Sequence, residues 1–343
     1  MRPSRPRVLL LGHYPLHRPD RAPVVRTRAM AEALARHAEV RVVAGTRAAR
    51  APALLALLRS GGLSGVDGVY LESATSAMTP VDWWFLRAVR RRGLPLAVYV
   101  RDWYQRFPDL YPPRGPKERV LAALYAATLA AYRRLATTLF VPTDGLGRLL
   151  GGPYRLLPPA GAVLPEAPGP RVRGRLVYVG ANGPYDGVDL ALEAVARLGR
   201  PTVELVLVLR PREAPAAVPP GVRVVAASGA DLSAWLWSAE LALLPRRDTA
   251  YNRIALPVKL FDYWSHGLPV LATGNSEVGR WVARVGGGVA VPATAEALAA
   301  ALDTLLDDPV RLRTMGERGR AAVRSAHNWD ARALTVLDAL GLS

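Results

Sequence analysis

Lys259 and Asp262 stand three residues apart in a stretch, 243–273, that packs polar side chains between two apolar runs. At that spacing two side chains share one face of a helix, and near a helix start the backbone N–H groups and the macrodipole favour anions. The flanking runs, 241–245 and 268–273, are short and bounded by Pro or Gly, as strands buried on both faces are. Pro257 suits a first helical turn and Gly267 a C-cap. The expected order is strand, loop, helix, strand, with an ammonium and a carboxylate placed to hold a phosphate-bearing ligand. Lys259 is one of only two lysines beside 43 arginines, the other being Lys117. The competing reading is an ordinary helix-surface ion pair worth about a few tenths of a kcal/mol.

The wider stretch resembles the donor-site motif of GT-B glycosyltransferases, family 4 in particular, in which P-x-K-x-x-E-Y-x-x-x-G-x-P-V opens a helix beneath the nucleotide-sugar. Here it reads Pro257, Lys259, Asp262, Tyr263, Gly267, Pro269 and Val270. The resemblance implies an α/β fold of two Rossmann-like βαβ domains facing a central cleft. It also implies a nucleotide-sugar co-substrate, no other cofactor, no metal, and retention at the anomeric carbon. Lys259 would contact the donor diphosphate, and Asp262, where Glu is usual, the ribose hydroxyls. The family's second Glu, eight residues before Asp262, is replaced by Ile254, which turns attention to Arg246, Arg247 and Asn252 on the preceding loop. Residues 98–108 resemble the R-D-x-W-P segment of one branch of family 4, which faces the transferred sugar, and place Arg101, Asp102, Trp103 and Tyr104 there.

Apolar runs alternate with helical patterns along the whole chain, which argues βαβ units and parallel sheets. Strands are expected at 8–11, 39–44, 68–72, 95–100 and 138–141, with helices at 24–36, 80–92 and 117–135. The Pro- and Gly-rich segment 158–174 reads as a linker between a domain at 1–157 and a second at 175–327. Strands of the second domain are expected at 175–179, 203–209, 222–225, 241–245, 270–273 and 289–291. Asp307, Asp308 and Pro309 separate two helical patterns, and 328–343 is expected to form a last helix packing back on the first domain, as the family's does.

In open α/β sheets ligands sit outside the carboxyl ends of strands. After the first strand those positions offer His13 and Arg26. After the fourth they offer Arg101 and Asp102, with Trp103, Tyr104, Phe107 and Tyr111 lining an acceptor groove or capping the sheet. The second domain's first turn offers Gly180 and Gly183 for close backbone approach. There the family's Lys-Gly is Asp186-Gly187, so a phosphate cation is expected from Arg210 or Arg246. Asp102 or His13 would orient the acceptor or the reacting sugar.

At 343 residues and 50% hydrophobic, the chain exceeds what one core usually holds. The absence of cysteine excludes disulfides and thiolate metal sites and fits a reducing, cytoplasmic setting. Five scattered histidines give no metal-ligand spacing. The N-terminal apolar run is too short for a signal peptide, and no run reaches a membrane span. One Gln and four Asn suggest a heat-adapted source.

Residues 1–170 carry a net +14, against +3 for 171–343. Arg114, Lys117, Arg119, Arg133 and Arg134 flank the apolar segment 120–131, a combination suited to the inner face of an anionic membrane. The alternative is a solvated basic rim around a core-facing helix. The reading is a nucleotide-sugar-dependent glycosyltransferase of polysaccharide biosynthesis, acting on a glycan, lipid-linked or small-molecule acceptor. The alternatives are a non-catalytic basic binding protein for membrane or nucleic acid, and a sugar-nucleotide epimerase or phosphorylase on the same shell. Nucleic acid is not the expected partner, because the arginines are dispersed among acidic residues.

Overall fold

The computed structural model describes residues 5–17 and 22–343. The chain divides into two units, Met1–Pro158 with Trp329–Ser343, and Pro159–Asn328. Among the described residues each unit holds one six-stranded parallel sheet.

In the first unit the strands are β1 (Arg7–Gly12), β2 (Glu39–Ala44), β3 (Gly68–Glu72), β4 (Leu96–Tyr99), β5 (Thr138–Val141) and the short β6 (Arg155–Leu156), in the order β2-β1-β3-β4-β5-β6. Side chains alternate along a strand, so each strand feeds two cores. Leu9 and Leu11 join Val69, Leu71 and Val98 on one face, while Val8 and Leu10 join Tyr70, Ala97 and Tyr99 on the other. The helices are α1 (Ala22–Leu34), α2 (Arg47–Arg59), α3 (Pro80–Arg91), α4 (Pro116–Leu135) and α5 (Asp144–Leu150).

The helix α2 has no counterpart in the sequence reading, because Pro52 lies inside it and an interior proline ordinarily ends a helix. Tertiary contacts hold it. Thr46 accepts from Ala49 N–H at its start, and Arg50, 3% exposed, donates to both carboxylate oxygens of Asp82 at 3.0 and 2.8 Å. Asp82 closes the capping box of α3 with Thr79, so one carboxylate fixes two helices.

The second unit contains β7 (Arg175–Gly180), α6 (Val188–Leu198), β8 (Glu204–Leu209), β9 (Val222–Val225), α7 (Gly229–Ser238), β10 (Leu241–Leu244), α8 (Lys259–Ser265), β11 (Val270–Thr273), α9 (Glu277–Val285), β12 (Gly288–Val291), α10 (Ala295–Leu306) and α11 (Pro309–Ser325). Its sheet runs β12-β11-β10-β7-β8-β9. The strand order therefore reverses between β7 and β10, as it does between β1 and β3 in the first unit.

The last helix, α12 (Trp329–Ala339), belongs to the first unit, where Ala333, Val336 and Leu337 join the core of Val8, Leu10 and Tyr99. Segment 158–174 is less free than its composition suggests, because it is strapped along the second unit. Gly161 bridges Asn328, Val172 N–H donates to Ser238 O, and Arg171 donates to Ala239 O at 2.7 Å, His266 O at 2.7 Å and Gly267 O at 2.9 Å.

Candidate functional site

The strand reversal in the second unit brings the turn after β7 beside the loop after β10, with α8 behind them. Gly180 ends β7 at φ +151°, and a Cβ there would fall on the Lys259 ammonium. Lys259 does not pair with Asp262. Its Nζ reaches back to β7, where it donates to Tyr178 Oη at 3.4 Å and lies 4.6 Å from the centre of that ring. Tyr178 Oη is turned to Ala181 O at 2.6 Å, and Val179 N–H donates to Tyr263 Oη at 2.8 Å. Tyr263, one helical turn from Lys259, thus ties α8 to the end of β7. The surface-pair reading of Lys259 is excluded by this geometry.

Three charges surround the ammonium. Asp186, buried and accepting from Gly183 N–H at 3.0 Å, and Glu213 favour its charged form, while Arg246 opposes it. Arg246 is half-buried with its Nε closed off from any protein acceptor. Its guanidinium lies 6.0 Å from the Tyr251 ring centre, and Thr273 Oγ1 donates to its carbonyl oxygen. Gly187, at φ +74°, packs against Pro245 O so closely that no Cβ fits, which locks the two loops together. The result is a pair of cations, Lys259 and Arg246, at the sheet's reversal point, where α/β sheets take anionic ligands.

The other donor-side candidates do different work. Asn252 is fully buried, and its amide donates to Tyr185 O at 2.9 Å and Arg247 O at 2.8 Å, clamping the loop after β7 to the loop after β10. Arg247 pairs with Asp189 of α6, and Arg210 with Glu213 at 3.3 Å. Asp262 sits half-buried on α8, and no hydrogen bond or ion pair from the described residues is directed at its carboxylate. Tyr178 was not singled out in the sequence; its place two residues before Gly180 on an alternating strand is the only signal it gives.

Burial lowers the Lys259 pKa to about 8, with Asp186 and Glu213 offsetting part of the effect and Arg246 adding to it, and burial alone raises that of Asp262 to about 7. Between about 8 and 10.5 the folded chain therefore holds less of the Lys259 proton than the unfolded chain, so this group makes stability rise with pH there. Between 3.8 and about 7 the folded chain holds more of the Asp262 proton, so this group makes stability fall with rising pH. A bound diphosphate needs the ammonium charged. Affinity for a nucleoside diphosphate should fall by up to about tenfold per pH unit above about 8, and Lys259→Arg should flatten that decline, as titration calorimetry across the range would show.

In the first unit the strand reversal places His13 at the end of β1 beside β3, with Nδ1 3.1 Å from Glu72 O and 3.2 Å from Ala74 N. Burial and the neighbouring Arg50 lower its pKa to about 4, so the imidazole is neutral at physiological pH. It can exchange hydrogen bonds with a hydroxyl there but supplies no positive charge.

Arg26, offered as a ligand-facing position after the first strand, is 2% exposed, because it neutralises the equally buried Glu72. Its Nε lies 3.0 and 3.2 Å from the two carboxylate oxygens, and its guanidinium carbon 3.6 Å above the Tyr99 ring. Arg101 donates to Ser73 O at 2.6 Å, and Asp102 accepts from Trp103 N–H at 2.7 Å. Trp103 packs against the core as a cap on the sheet, whereas Tyr104 turns to a cavity of about 750 Å³ with Tyr111. Arg101 is a minor contributor to the lowered His13 pKa, while Trp103 and Tyr104 face different surroundings.

Residues 173–308 match the family described as glycosyl transferases group 1. The chain is 32% identical over 180 residues to the MMP alpha-(1->4)-mannosyltransferase of Mycolicibacterium hassiacum, an alignment spanning 47% of this chain and 41% of that protein. Among solved structures it is similar to the sucrose-phosphate synthase of Thermosynechococcus elongatus, with a TM-score of 0.72 at 17% identity over 97% of this chain and 98% of that one. It is also similar to HepE of Anabaena in complex with UDP, with a TM-score of 0.68 at 12% identity over 98% and 99% of the two chains. WaaG, a glycosyltransferase involved in lipopolysaccharide biosynthesis, gives 0.63 at 18% identity over 97% and 100%. These likenesses establish the α/β GT-B architecture.

Proposed function

We propose, from the premise that residues 173–308 belong to the glycosyl transferases group 1 family within a GT-B fold, that the protein transfers a hexose from a nucleotide-sugar to an acceptor hydroxyl. The observation that carries this reading is the Lys259 ammonium, held with Arg246 at the strand reversal of the second unit. The bond from the sugar's C1 to the diphosphate breaks and its electron pair leaves with the diphosphate. The acceptor oxygen bonds to C1 and passes its proton to the departing diphosphate. Lys259 and Arg246 stabilise the charge gathering on the leaving diphosphate, which removes the need for a metal. Asp262, half-buried and without a partner for its carboxylate among the described residues, is suited to accept hydrogen bonds from ribose hydroxyls.

The similar HepE is described in complex with UDP, with UDP and glucose, and with UDP-glucose, and the similar mannosyltransferase is named for an α-(1→4) linkage. A nucleoside diphosphate hexose is therefore the donor class we assign, with retention of configuration and an acceptor that is a glycan, a lipid-linked sugar or a small metabolite. His13 and Asp102 are the groups we assign to orienting acceptor or sugar, and the protein is read as cytoplasmic. A thermal-shift screen against UDP-, GDP-, ADP- and TDP-sugars tests the assignment, because a ligand bound to the folded state raises apparent stability by mass action. One nucleotide series should shift the melting temperature by several degrees, undiminished in EDTA. No shift with any series, or shifts that vanish with EDTA, would refute the metal-free donor site.

A further inference from the structure

The strands β7, β10 and β11 run parallel, so the amino ends of β10 and β11 lie at the opposite edge of the sheet from Gly180 and Lys259. A cavity of about 510 Å³ opens there in the second unit, a volume suited to a small molecule. It is bounded by Glu240 before β10, Pro269 before β11, the end of α8 at His266, the strap at Arg171 and one face of α11. Arg313, Glu317 and Arg320 recur on that face at helical spacing.

Arg171, Arg313 and Arg320 line the cavity, and none of them meets a carboxylate within ion-pair distance among the described residues. Arg175, Arg197, Arg200 and Arg253 of the same unit each do. Arg171 is spent on main-chain oxygens, and Arg320 donates to Leu164 O at 3.3 Å and to Pro165 O while its Nε is closed off without an acceptor. The two come together over Gly267, where a Cβ would meet Arg171 Nη2 at 3.4 Å and Arg320 Cδ at 3.6 Å. Burial and the charge of Arg320 lower the Arg171 pKa to about 10, with Glu240 offsetting part of the effect. Arg324 adds to the positive field at Arg320 and Glu166 opposes it. Arg313 is exposed and engages no described residue.

The lining is not cationic throughout. Glu317 is exposed, Glu240 is half-buried with one oxygen accepting from Gly174 N–H at 2.6 Å, and the half-buried Trp237 ring lies 5.9 Å from the Arg320 guanidinium. His266 offers this side only its ring, since Nδ1 donates to Asp262 O at 2.7 Å and Nε2 accepts from Ser233 Oγ at 2.8 Å. A bare anion gains nothing from the two carboxylates, and a neutral sugar nothing from the uncompensated guanidiniums. A phosphorylated sugar uses both, and its C–H face suits an indole. We propose that this cavity is a second ligand site that takes a sugar phosphate, with the phosphate on Arg313 and Arg320, hydroxyls on Glu240 and Glu317, and the sugar ring on Trp237. It shares no residue with the Lys259 end of α8, so it stands or falls apart from the transferase reading.

The test is isothermal titration of the full chain with ribose 5-phosphate, glucose 6-phosphate and mannose 6-phosphate, beside the unphosphorylated sugars and inorganic phosphate. At least one sugar phosphate should bind, at least about tenfold more tightly than its neutral sugar or inorganic phosphate. Lys259→Ala should bind it as wild type does. Arg313→Glu should lose at least about tenfold and Trp237→Leu should also weaken binding, whereas Arg318→Glu, at an exposed position of α11 outside the cavity, should bind as wild type. Unchanged melting temperatures of the two glutamate variants would show that both fold. Binding by none of the three sugar phosphates, or binding indifferent to Arg313→Glu, would overturn the proposal. So would binding lost in Lys259→Ala, which would move the ligand to the donor end, or inorganic phosphate binding as tightly, which would reduce the cavity to capture of a simple anion. A nucleoside diphosphate titrated into the same preparations reads the donor site separately.

Discussion

Lys259→Ala should abolish thermal stabilisation by nucleoside diphosphates and lower kcat/KM for sugar transfer at least about a hundredfold, the scale on which removing one preorganised charge-stabilising group acts. The free protein should meanwhile melt at or slightly above the wild-type temperature. The ammonium is held without a direct ion pair, and burial lowers its pKa to about 8, so its charge opposes folding in the empty site. A group that costs stability when unliganded and gains a partner when a diphosphate arrives behaves as a binding residue, whereas a structural lysine would do the reverse. Gly180→Ala is the companion variant. Its Cβ would fall where Nζ sits, so it should displace the ammonium and mimic Lys259→Ala in binding while keeping the charge. Retained donor stabilisation in Lys259→Ala would place the donor site elsewhere and leave this end of the sheet a packing feature.

The alternation of apolar runs with turn signals made nearly every strand legible, because parallel strands buried on both faces announce themselves by composition alone. The helix α2 was hidden by Pro52, and what rescues it, the Arg50–Asp82 pair, joins residues 32 apart in sequence. The Lys259–Asp262 spacing was legible, but the direction of Lys259 was not. Nothing local distinguishes an ammonium that meets Asp262 on its own helix from one that reaches Tyr178, 81 residues away. Arg26 shows the same limit in the opposite sense. A polar residue after a strand end reads as a site residue until the fold brings Glu72 beneath it. Sequence period determines which face is buried, and long-range pairing determines which charges are left for chemistry.

Glu72→Ala should destabilise the first unit by about 3–5 kcal/mol, lowering its melting temperature by about 10 °C, because it strands a charge with no access to water. Burial by itself would push the Arg26 pKa down, yet the Glu72 carboxylate overrides it and holds the guanidinium above its ordinary value. Nε alone faces Glu72, while Nη1 and Nη2 are closed off without a protein acceptor, so no second carboxylate can take over. Tyr70, whose hydroxyl donates to Glu72 at 2.6 Å, would lose its partner in the same step. The double variant Arg26→Met/Glu72→Leu should recover much of that loss, since replacing a buried pair by apolar groups of similar volume avoids both desolvation penalties. Thermal melts of the two variants separate the accounts. If the double variant is as unstable as Glu72→Ala, the pair itself holds the fold. If it recovers, the pair is dispensable for folding. Burial and Arg50, not the Arg26–Glu72 pair, hold the His13 pKa down, and its contact is to the main-chain oxygen of residue 72, so NMR titration of the double variant should find that pKa still at about 4.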